Sequence, residues 1–371
     1  MKKKITIVVN DIKNIYLFRL SLIEELVNLN YKVEIICNKS SFKSKFNNIP
    51  KKIKIYKLDY GKKNISLLDN LFYFFSLFKV INETKPEIVL SYTIKPNIYS
   101  SLVCKILKIK CICTITGLGS TFINGGLLKQ IIFQLYKISK NQNTTYIFQN
   151  NDDKKIFKEQ NIITNLNFKI IPGSGINVKK FKNVKFKIND NFTFLVIARL
   201  INHKGISEYY EAAKKLKNNF KKFNFYLIGD YDPKDKYTIS KDLFNKIIKN
   251  DVLNYNSYTD NILNDISKCD CVILPSYREG MSKTLLEAAY LKKPLLATNV
   301  PGCKEIVINN KNGFLFKKSS INDLASKMIK ISKIDKRILK SFGVFSNNHV
   351  KQNFTSNIVN KMYLDLIKSK L

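Results

Sequence analysis

Short apolar runs alternate with amphipathic segments along the whole chain. The runs at residues 4–9, 32–37 and 87–91 are rich in Ile and Val, which is typical of buried strands. The segment 15–29 instead repeats apolar residues at helical spacing, as an amphipathic helix does. Strands that alternate with helices in this way predict parallel sheets covered by helices on both faces, and therefore the α/β fold class.

The same pattern predicts most other elements of the chain. Strands are predicted over 4–9, 32–37, 52–58, 87–91, 110–115, 145–148 and 169–172, and then over 193–197, 223–228, 254–256, 271–274, 294–298 and 313–316. Helices are predicted over 15–29, 65–81, 98–107, 127–139, 152–160, 207–216, 237–249, 262–268, 283–291, 320–331 and 352–371. The series restarts after a Lys- and Asn-rich stretch. We therefore predict a first Rossmann-like domain over 1–177, a linker over 178–191, a second Rossmann-like domain over 192–351 and a C-terminal helix over 352–371.

Composition limits the possible classes of protein. A chain of 371 residues with 45% hydrophobic residues can bury the cores of two domains. The longest strongly apolar stretch, residues 71–78, is too short to cross a bilayer as a helix, and the basic start of the chain is expected to lead into a strand rather than a signal peptide. Seven cysteines without a CxxC pair are expected to be buried thiols of a cytoplasmic protein, and with two histidines no metal site is expected.

The formal net charge of +36 is large for this length. It is compatible with attraction to nucleic acid, to an anionic membrane or to phosphorylated ligands. It is equally compatible with a Lys- and Asn-rich composition imposed by AT-rich coding. We leave these two interpretations open. Only four of the 64 basic residues are arginine, and no nucleic-acid-binding motif is present, so a nucleic-acid partner is not expected.

Residues 275–306 carry the clearest candidate chemistry. An apolar run ends at Leu274, a loop with Glu279 and Gly280 follows, and a helix is predicted to begin near Lys283 with Glu287 inside it. The start of a helix presents unpaired N–H groups and a partial positive charge, which suit a phosphate group. The two carboxylates lie on a loop and on a helix, so they can bind two different parts of one ligand.

Two cations are expected to join this loop. Arg199 follows the strand over 193–197, and Lys204 follows across a short loop before the next helix. Arginine binds phosphate as a planar fork and lysine binds it as a point charge. Two cations for a diphosphate and two carboxylates for hydroxyl groups are the side chains that a nucleotide sugar requires.

These motifs resemble the retaining glycosyltransferases of family 4, which have the GT-B fold of two Rossmann-like domains facing each other across a cleft. The match consists of Ala198-Arg199-Leu200, Lys204-Gly205, Gly229-Asp230 and the E-x7-E motif from Glu279 to Glu287. Residues 116–122 (TGLGSTF), 136–139 (YKIS) and 171–181 (IPGSGINVKKF) resemble the capsular-polysaccharide branch of this family. The resemblance covers nearly the whole chain.

The resemblance implies metal-independent transfer of a sugar from a nucleotide sugar, with UDP the expected nucleotide and no cofactor. The acceptor would be a polyprenyl-diphosphate-linked saccharide, reached by an enzyme bound peripherally to the anionic cytoplasmic face of the plasma membrane. The implied catalytic residues are Arg199, Lys204 and Glu279. The implied donor-binding residues are Gly117, Gly119, Gly229, Gly280, Met281, Ser282, Lys283, Thr284 and Glu287. The implied acceptor-binding residues are Asn14, Tyr16, Arg19 and Thr116, and the C-terminal helix is expected to return to the first domain.

The chain departs from the family at two positions. Many members have a histidine where this chain has Thr116, and a threonine can neither act as a base near neutral pH nor carry a positive charge. Lys283 stands where small or apolar residues are common, and it is expected either to contact phosphate or to be solvated.

Two other functions remain open from sequence alone. A nucleotide-sugar epimerase could use the same two-domain fold, but it would require acid and base groups at the sugar. A basic protein that binds a membrane or nucleic acid without catalysis is the other alternative.

Overall fold

The structure of the chain is a computed structural model that describes residues 2–38, 49–50, 52–58, 67–164, 167–181, 191–257, 259 and 261–371. The chain folds into two units. Met1–Gly175 and Ser356–Leu371 form the first unit, and Ile176–Thr355 forms the second. Most of the predicted linker, residues 182–190, lies outside the described residues.

The first unit is built on a parallel sheet of seven strands in the order β3-β2-β1-β4-β5-β6-β7. Its strands are β1 (Lys4–Val8), β2 (Lys32–Asn38), β3 (Lys54–Leu58), β4 (Ile88–Tyr92), β5 (Lys110–Ile115), β6 (Thr144–Phe148) and β7 (Phe168–Ile170). Its helices are α1 (Ile12–Phe18), α2 (Leu20–Asn28), α3 (Leu67–Thr84), α4 (Ile94–Leu107), α5 (Gly119–Asn124), α6 (Leu127–Ser139), α7 (Asn151–Glu159) and, at the end of the chain, α14 (Ser356–Lys370). Helices α3, α4, α6 and α7 pack on one face of the sheet, and α1, α2 and α14 pack on the other.

The second unit is built on a parallel sheet of six strands in the order β10-β9-β8-β11-β12-β13. Its strands are β8 (Phe192–Ile197), β9 (Phe223–Ile228), β10 (Asn254–Asn256), β11 (Cys271–Leu274), β12 (Leu295–Thr298) and β13 (Gly313–Phe316). Its helices are α8 (Ile206–Lys217), α9 (Lys241–Lys249), α10 (Ile262–Lys268), α11 (Lys283–Tyr290), α12 (Ile321–Ser332) and α13 (Lys336–Asn353). Helices α8, α9 and α12 cover one face, and α10 and α11 cover the other. The predicted α/β class with two Rossmann-like domains is confirmed.

Three predicted elements of the first unit differ from the structure. The single helix predicted over 15–29 is two helices, α1 and α2, which meet at Arg19. Helix α1 begins early because the Asp11 side chain accepts a hydrogen bond from the Lys13 N–H at 2.9 Å and so caps the first turn. Helix α4 begins at Ile94 although it contains Pro96, because a proline in the first turn removes no helical hydrogen bond. The predicted loop at 116–122 contains the start of α5 at Gly119.

Helix α13 is an element that the sequence pattern did not predict. It contains Gly343 and several asparagines, which lower helix propensity. A Cβ atom on Gly343 would lie 2.2 Å from the carbonyl oxygen of Lys292, so the glycine lets α13 pack directly against the end of α11. Because α13 extends to Asn353, the C-terminal helix begins at Ser356 and not at residue 352.

Helix α14 packs in the first unit, as predicted. Val359, Tyr363, Leu366 and Ile367 are buried there among residues of β1, β2 and α2. The Asn360 amide donates a hydrogen bond to Glu25 at 2.7 Å, and the Tyr363 and Thr114 hydroxyls lie 3.2 Å apart. The end of the chain thus completes the core of the unit in which the chain began.

Candidate active site

The predicted donor-site residues follow neighbouring strands of the second unit. Arg199 comes two residues after β8, Gly229 directly follows β9, and Glu279 lies on the loop after β11. The strands are parallel, so these loops meet at one edge of the sheet. The carboxyl edge of such a sheet is the usual ligand site of doubly wound folds.

Two glycines allow these loops to approach one another. A Cβ atom on Gly229 would lie 1.8 Å from the carbonyl oxygen of Ala198, so only glycine fits between the ends of β8 and β9. Gly205 has a φ of +69°, and a Cβ atom there would lie 2.2 Å from the carbonyl oxygen of Pro275. The turn that carries Lys204 is therefore held against the start of the loop that carries Glu279.

Lys204 and Glu279 form an ion pair through the lysine Nζ and the carboxylate Oε1. Both side chains are mostly buried, with exposed fractions of 18% and 15%. Arg199 is exposed at the same edge of the sheet. The structure thus brings together two of the three predicted catalytic residues and leaves the guanidinium of the third accessible to a ligand.

His203 lies at the same edge, beside Lys204 and Arg199, and its pKa is lowered there. Burial, and after it the neighbouring charges of Lys204 and Arg199, lower the pKa of His203 to about 4 against the opposing carboxylates of Glu279 and Asp235. The imidazole is therefore neutral near pH 7 and can donate or accept a hydrogen bond without adding charge.

Tyr277 is a site residue to which the sequence analysis gave no role. Its backbone N–H donates to the His203 carbonyl at 2.9 Å, and its hydroxyl donates to the Glu208 carboxylate on α8. Tyr277 thereby joins the loop after β11 to the turn after β8. Its place directly after the predicted strand and turn was the only sequence signal that could have indicated this role.

The loop after β12 supports the Glu279 loop. Backbone N–H groups of Glu279 and Ser282 donate to the carbonyls of Pro301 and Gly302 at 3.1 and 3.2 Å. Gly302 has a φ of +79°, and a Cβ atom there would lie 2.6 Å from the Cβ of Glu279. The Gly302 N–H in turn donates to Glu305 at 2.7 Å. This supporting loop lay inside the 275–306 stretch, but the sequence analysis gave it no function.

Helix α11 begins behind this loop. The buried Ser282 caps it by accepting a hydrogen bond from the Leu285 N–H at 3.3 Å, and the Ser282 N–H is already bonded to Gly302. Gly280 is buried, whereas Met281 and Thr284 are partly exposed. The predicted donor-binding backbone is therefore a short capped segment in which the Ser282 N–H is already engaged within the protein.

Glu287 and Lys283 form a second ion pair, one turn apart on α11, with Nζ and Oε1 at 3.5 Å. Burial raises the pKa of the Glu287 carboxyl, and the charges of Lys283 and Lys180 oppose that rise. The lysine that departs from the family pattern thus contacts the second glutamate of the E-x7-E motif. Neither expectation for Lys283, a phosphate contact or a solvated side chain, had included this pairing.

The predicted glycine loop of the first unit follows β5. Gly117 and Gly119 have φ values of +98° and +68°, and the side chain of Leu118 between them is buried. Thr116 is half-buried at the end of β5. Both glycines adopt a backbone conformation that other residues rarely take, which fixes the path of the loop.

Three of the four predicted acceptor residues lie on or directly after α1, and the fourth, Thr116, directly follows β5. Asn14 and Tyr16 are partly exposed on this helix. Arg19 is only 4% exposed, and its guanidinium lies 4.0 Å from the ring centroid of Tyr92 and 5.9 Å from that of Tyr363. Arg19 therefore helps to hold α14 through its stacked contacts, and Asn14 and Tyr16 are the more accessible residues of this set.

Among the described residues, no group of three or more His, Cys, Asp or Glu side chains is placed to hold a metal ion. No helix of the described segments is both long and apolar enough to span a membrane.

The fold and the strand-edge site together define a class of protein. Residues 4–151 match the family model described as "Glycosyl transferase 4-like", and residues 177–341 match the model described as "Glycosyl transferases group 1". The chain is a glycosyltransferase with the GT-B fold, as the resemblance predicted.

Particular relatives agree with this assignment. The chain is 28% identical to the N,N'-diacetylbacillosaminyl-diphospho-undecaprenol alpha-1,3-N-acetylgalactosaminyltransferase of Campylobacter jejuni, over 85% of each chain. It is 24% identical to the UDP-Gal:alpha-D-GlcNAc-diphosphoundecaprenol alpha-1,3-galactosyltransferase of Escherichia coli, over 94% of this chain and 92% of that one.

Solved structures share the fold at lower sequence identity. A glycosyltransferase from Rickettsia africae superposes with a TM-score of 0.77 at 20% identity and covers 100% of this chain and 98% of its own. HepE of Anabaena in complex with UDP-glucose superposes with a TM-score of 0.78 at 16% identity, over 99% of each chain.

Proposed function

We propose that this glycosyltransferase transfers an N-acetylhexosamine from a UDP-sugar to a saccharide carried on a polyprenyl diphosphate, with retention of the anomeric configuration and without a metal ion. The observation that carries the proposal is the cationic edge of the second sheet, where Arg199 and Lys204 lie beside Glu279 and the start of α11. A nucleoside diphosphate is the leaving group that such an edge suits.

The charges suggest how the leaving group is stabilised. Breaking the bond between the sugar and the diphosphate leaves negative charge on the diphosphate oxygens, and preorganised cations lower the energy of that state. The exposed guanidinium of Arg199 can bind two phosphate oxygens as a fork. Lys204 is held in place by Glu279 before a donor arrives, so its charge is already positioned when the diphosphate binds.

The two glutamates have separate roles in this proposal. Glu279 and the backbone from Gly280 to Ser282 would hold the hydroxyl groups of the donor sugar. Glu287 would accept hydrogen bonds from the ribose hydroxyls, for which its ionised form is the better acceptor. Lys283, 3.5 Å from Glu287, favours that ionised form against the cost of burial.

The acceptor is proposed from the names of the relatives. Both the Campylobacter jejuni and the Escherichia coli enzymes are named for acceptors linked to undecaprenyl diphosphate. A third relative, 25% identical over 80% of each chain, is named as a capsular polysaccharide biosynthesis glycosyltransferase of Staphylococcus aureus. We therefore place the reaction in surface glycan assembly, at the cytoplasmic face of the plasma membrane.

A nucleotide screen tests the donor half of the proposal. Because a ligand that binds only the folded state raises apparent stability, UDP and UDP-N-acetylhexosamines should raise the melting temperature more than GDP, ADP or GDP-mannose do. Equal shifts with all of these nucleotides, or none with any, would overturn the UDP assignment.

A transfer assay tests the reaction itself. The purified chain is incubated with UDP-N-acetylhexosamines and synthetic polyprenyl-diphosphate saccharides, and both UDP release and the linkage in the product are measured. Acceptor-dependent UDP release with retained configuration is expected. Interconversion of the UDP-sugar without acceptor and without UDP release would identify an epimerase instead.

A further inference from the structure

Helix α3 is apolar on the side that faces away from its sheet as well as on the side that faces it. Tyr73, Leu77 and Ile81 are buried in the core of the first unit. On the outer side, Phe72 and Phe75 are 68% and 62% exposed. A helix with two apolar sides is normally buried on both, but within the part of the chain that the structure describes nothing covers Phe72 and Phe75 on the outer side of α3.

The exposed residues of α3 form one stripe along the helix. Leu68, Phe72 and Phe75 are spaced four and three residues apart, and Leu71 lies beside them. This spacing brings side chains onto one helical face. The next position of the stripe is the exposed Lys79, so the apolar stripe ends in a cation.

Two neighbouring helices also expose apolar side chains. Helix α3 packs against α4, and α4 packs against α6, all on the same face of the sheet. Their exposed apolar side chains are Ile106 on α4, and Leu127, Ile131 and Ile138 on α6. On α6 these three positions are four and seven residues apart, which again corresponds to one helical face. We call the exposed apolar residues of these helices, together with their lysines, the α3–α4–α6 face.

The charge of this face is mostly positive, although α3 itself carries Asp69 and Glu83 as well as Lys79. Helices α4 and α6 contain no acidic residue. They carry Lys105, Lys129 and Lys137, and the exposed Lys108 and Lys140 directly follow them, whereas the Nζ atom of Lys95 is buried. Apolar side chains framed by lysines suit a surface that is anionic outside and apolar beneath.

We propose that the α3–α4–α6 face docks the protein on an anionic lipid surface, with Phe72 and Phe75 inserted at the level of the lipid headgroups. Insertion would be interfacial, because none of the described helices can span a bilayer. A second copy of the chain is the less suitable partner, since each copy carries a net charge of +36 and the two lysine-framed faces would repel each other.

This docking face rests on the proposed function, since a polyprenyl-linked acceptor lies in a membrane. Vesicle binding, however, is measured without any sugar transfer. If vesicle binding fails while transfer to a short-chain acceptor succeeds, the proposed docking face is wrong and the proposed reaction is correct. The opposite result would leave the face right and the reaction wrong.

The chain contains no tryptophan, which makes a site-specific reporter simple. Phe75→Trp places a single indole on the proposed face, and Ile338→Trp places one at an exposed position of α13 in the second unit. With vesicles of phosphatidylcholine and phosphatidylglycerol, the Phe75→Trp emission should shift to shorter wavelength and be quenched by brominated lipid, and that of Ile338→Trp should do neither. Equal responses of the two variants, or no response at Phe75→Trp, would refute insertion at this face.

A flotation assay measures how much the two exposed phenylalanines contribute to vesicle binding. Phe72→Ser with Phe75→Ser should weaken binding to the same anionic vesicles about tenfold or more, because two aromatic side chains no longer leave water. The matched control is Ile338→Ser with Val344→Ser on α13, which should bind as the unmodified chain does. Because all four side chains are exposed, folding should be retained, and circular dichroism checks this.

Charge is tested in the same assay. Lys105→Gln with Lys129→Gln and Lys137→Gln should weaken binding to anionic vesicles about tenfold or more, and pure phosphatidylcholine vesicles should bind the unmodified chain weakly. Equal binding to neutral and anionic vesicles would overturn the anionic assignment. If sedimentation shows a dimer that Phe72→Ser with Phe75→Ser converts to monomer while vesicle binding is unchanged, the face instead binds a second copy.

Discussion

The two units have the same architecture but differ in where they place unusual side chains. In the second unit, Lys204, Glu279 and His203 gather at the carboxyl edge of the sheet, where glycines press neighbouring loops together. In the first unit, Phe72 and Phe75 lie on the outer surface of a helix, away from the strand ends. One unit concentrates charge in a small paired site, and the other spreads apolar surface over adjacent helices.

This difference suits the two kinds of binding that we propose. A diphosphate is small and highly charged, so a few cations held rigidly by backbone contacts can bind it. A lipid surface is large and laterally uniform, so many weak apolar and cationic contacts can bind it without exact geometry. Substitutions in the second unit should therefore have large local effects, and single substitutions on the α3–α4–α6 face should have small additive ones.

The largest effect is expected at Lys204. Lys204→Met should lower the rate of sugar transfer by about 10²–10³-fold, the usual loss when one group that stabilises transition-state charge is removed. The measurement is acceptor-dependent UDP release at saturating donor. Lys246→Met, at an exposed position of α9, is the control and should keep the rate of the unmodified chain. A rate within a factor of two for Lys204→Met would remove this lysine from the mechanism.

A glycine in each unit tests how tightly its loop is packed. Gly205→Ala should lower the free energy of unfolding by about 2–5 kcal/mol, since it adds a collision with the Pro275 carbonyl to an unfavourable φ of +69°. Gly119→Ala, at a similar φ of +68° but with no atom within 4 Å of its Cβ, should lose only about 1–2 kcal/mol. Urea denaturation measures both. Equal losses would mean that the close approach at Gly205 adds nothing beyond backbone strain.

Glu287→Gln should weaken UDP binding about tenfold, since hydrogen bonds to a charged group are replaced by weaker ones. The same variant should be more stable than the unmodified chain at pH 7.5. Burial raises the pKa of the Glu287 carboxyl in the folded chain, so its ionised form is less favourable in the fold than in the unfolded chain. The stability that the protonated carboxyl contributes is therefore lost as pH rises through the folded-state pKa.

Two titrations check the sign of this effect. The stability difference between Glu287→Gln and the unmodified chain should disappear below pH 4.5, where the carboxyl is protonated in both states. Glu24→Gln, at an exposed position of α2, should change neither UDP binding nor stability. A Glu287→Gln variant that is less stable at pH 7.5 would contradict the raised pKa.

The smallest effect is expected at His203. Its pKa is about 4 in the fold against 6.5 in the unfolded chain, so the stability it contributes is present above pH 6.5 and is lost as pH falls from 6.5 toward 4. His203→Gln should therefore reduce the acid loss of stability, by about 1 kcal/mol once solvent screening of a half-exposed group is allowed for. Thermal melts at pH 7 and pH 4.5 measure this, with His349→Gln, at the other histidine, as the comparison.

The motif residues of the second unit were predictable because each carries a local signal. Arg199, Lys204 and Glu279 follow apolar runs that are recognisable as strands, and parallel strands end at one edge. The Lys283–Glu287 pairing was equally accessible from the four-residue spacing on a predicted helix. Tyr277 and Gly302 were missed because their partners, Glu208 on α8 and Ser282 on the loop after β11, belong to other elements and meet them only in the folded chain.

Helix α13, in contrast, could not be predicted from local sequence signals. Its glycine and asparagines indicate a weak helix, and its formation depends on packing against α11, which lies far away in sequence. The break between α1 and α2 at Arg19 has a similar cause, because Arg19 stacks on Tyr92 of β4 and lies near Tyr363 of α14. Local propensity cannot encode contacts with residues so distant along the chain.

The sequence by itself determined the class of fold, the strand edge proposed to bind the donor and the identity of its charged groups, because periodicity and strand-end motifs are local properties. Only the tertiary structure decided which groups pair, that α14 completes the first unit, and which aromatic residues of α3 are buried. Pairing and exposure depend on which surfaces meet in space. The stretch 71–78 is apolar on every side of its helix, so its sequence alone does not predict which side the core covers.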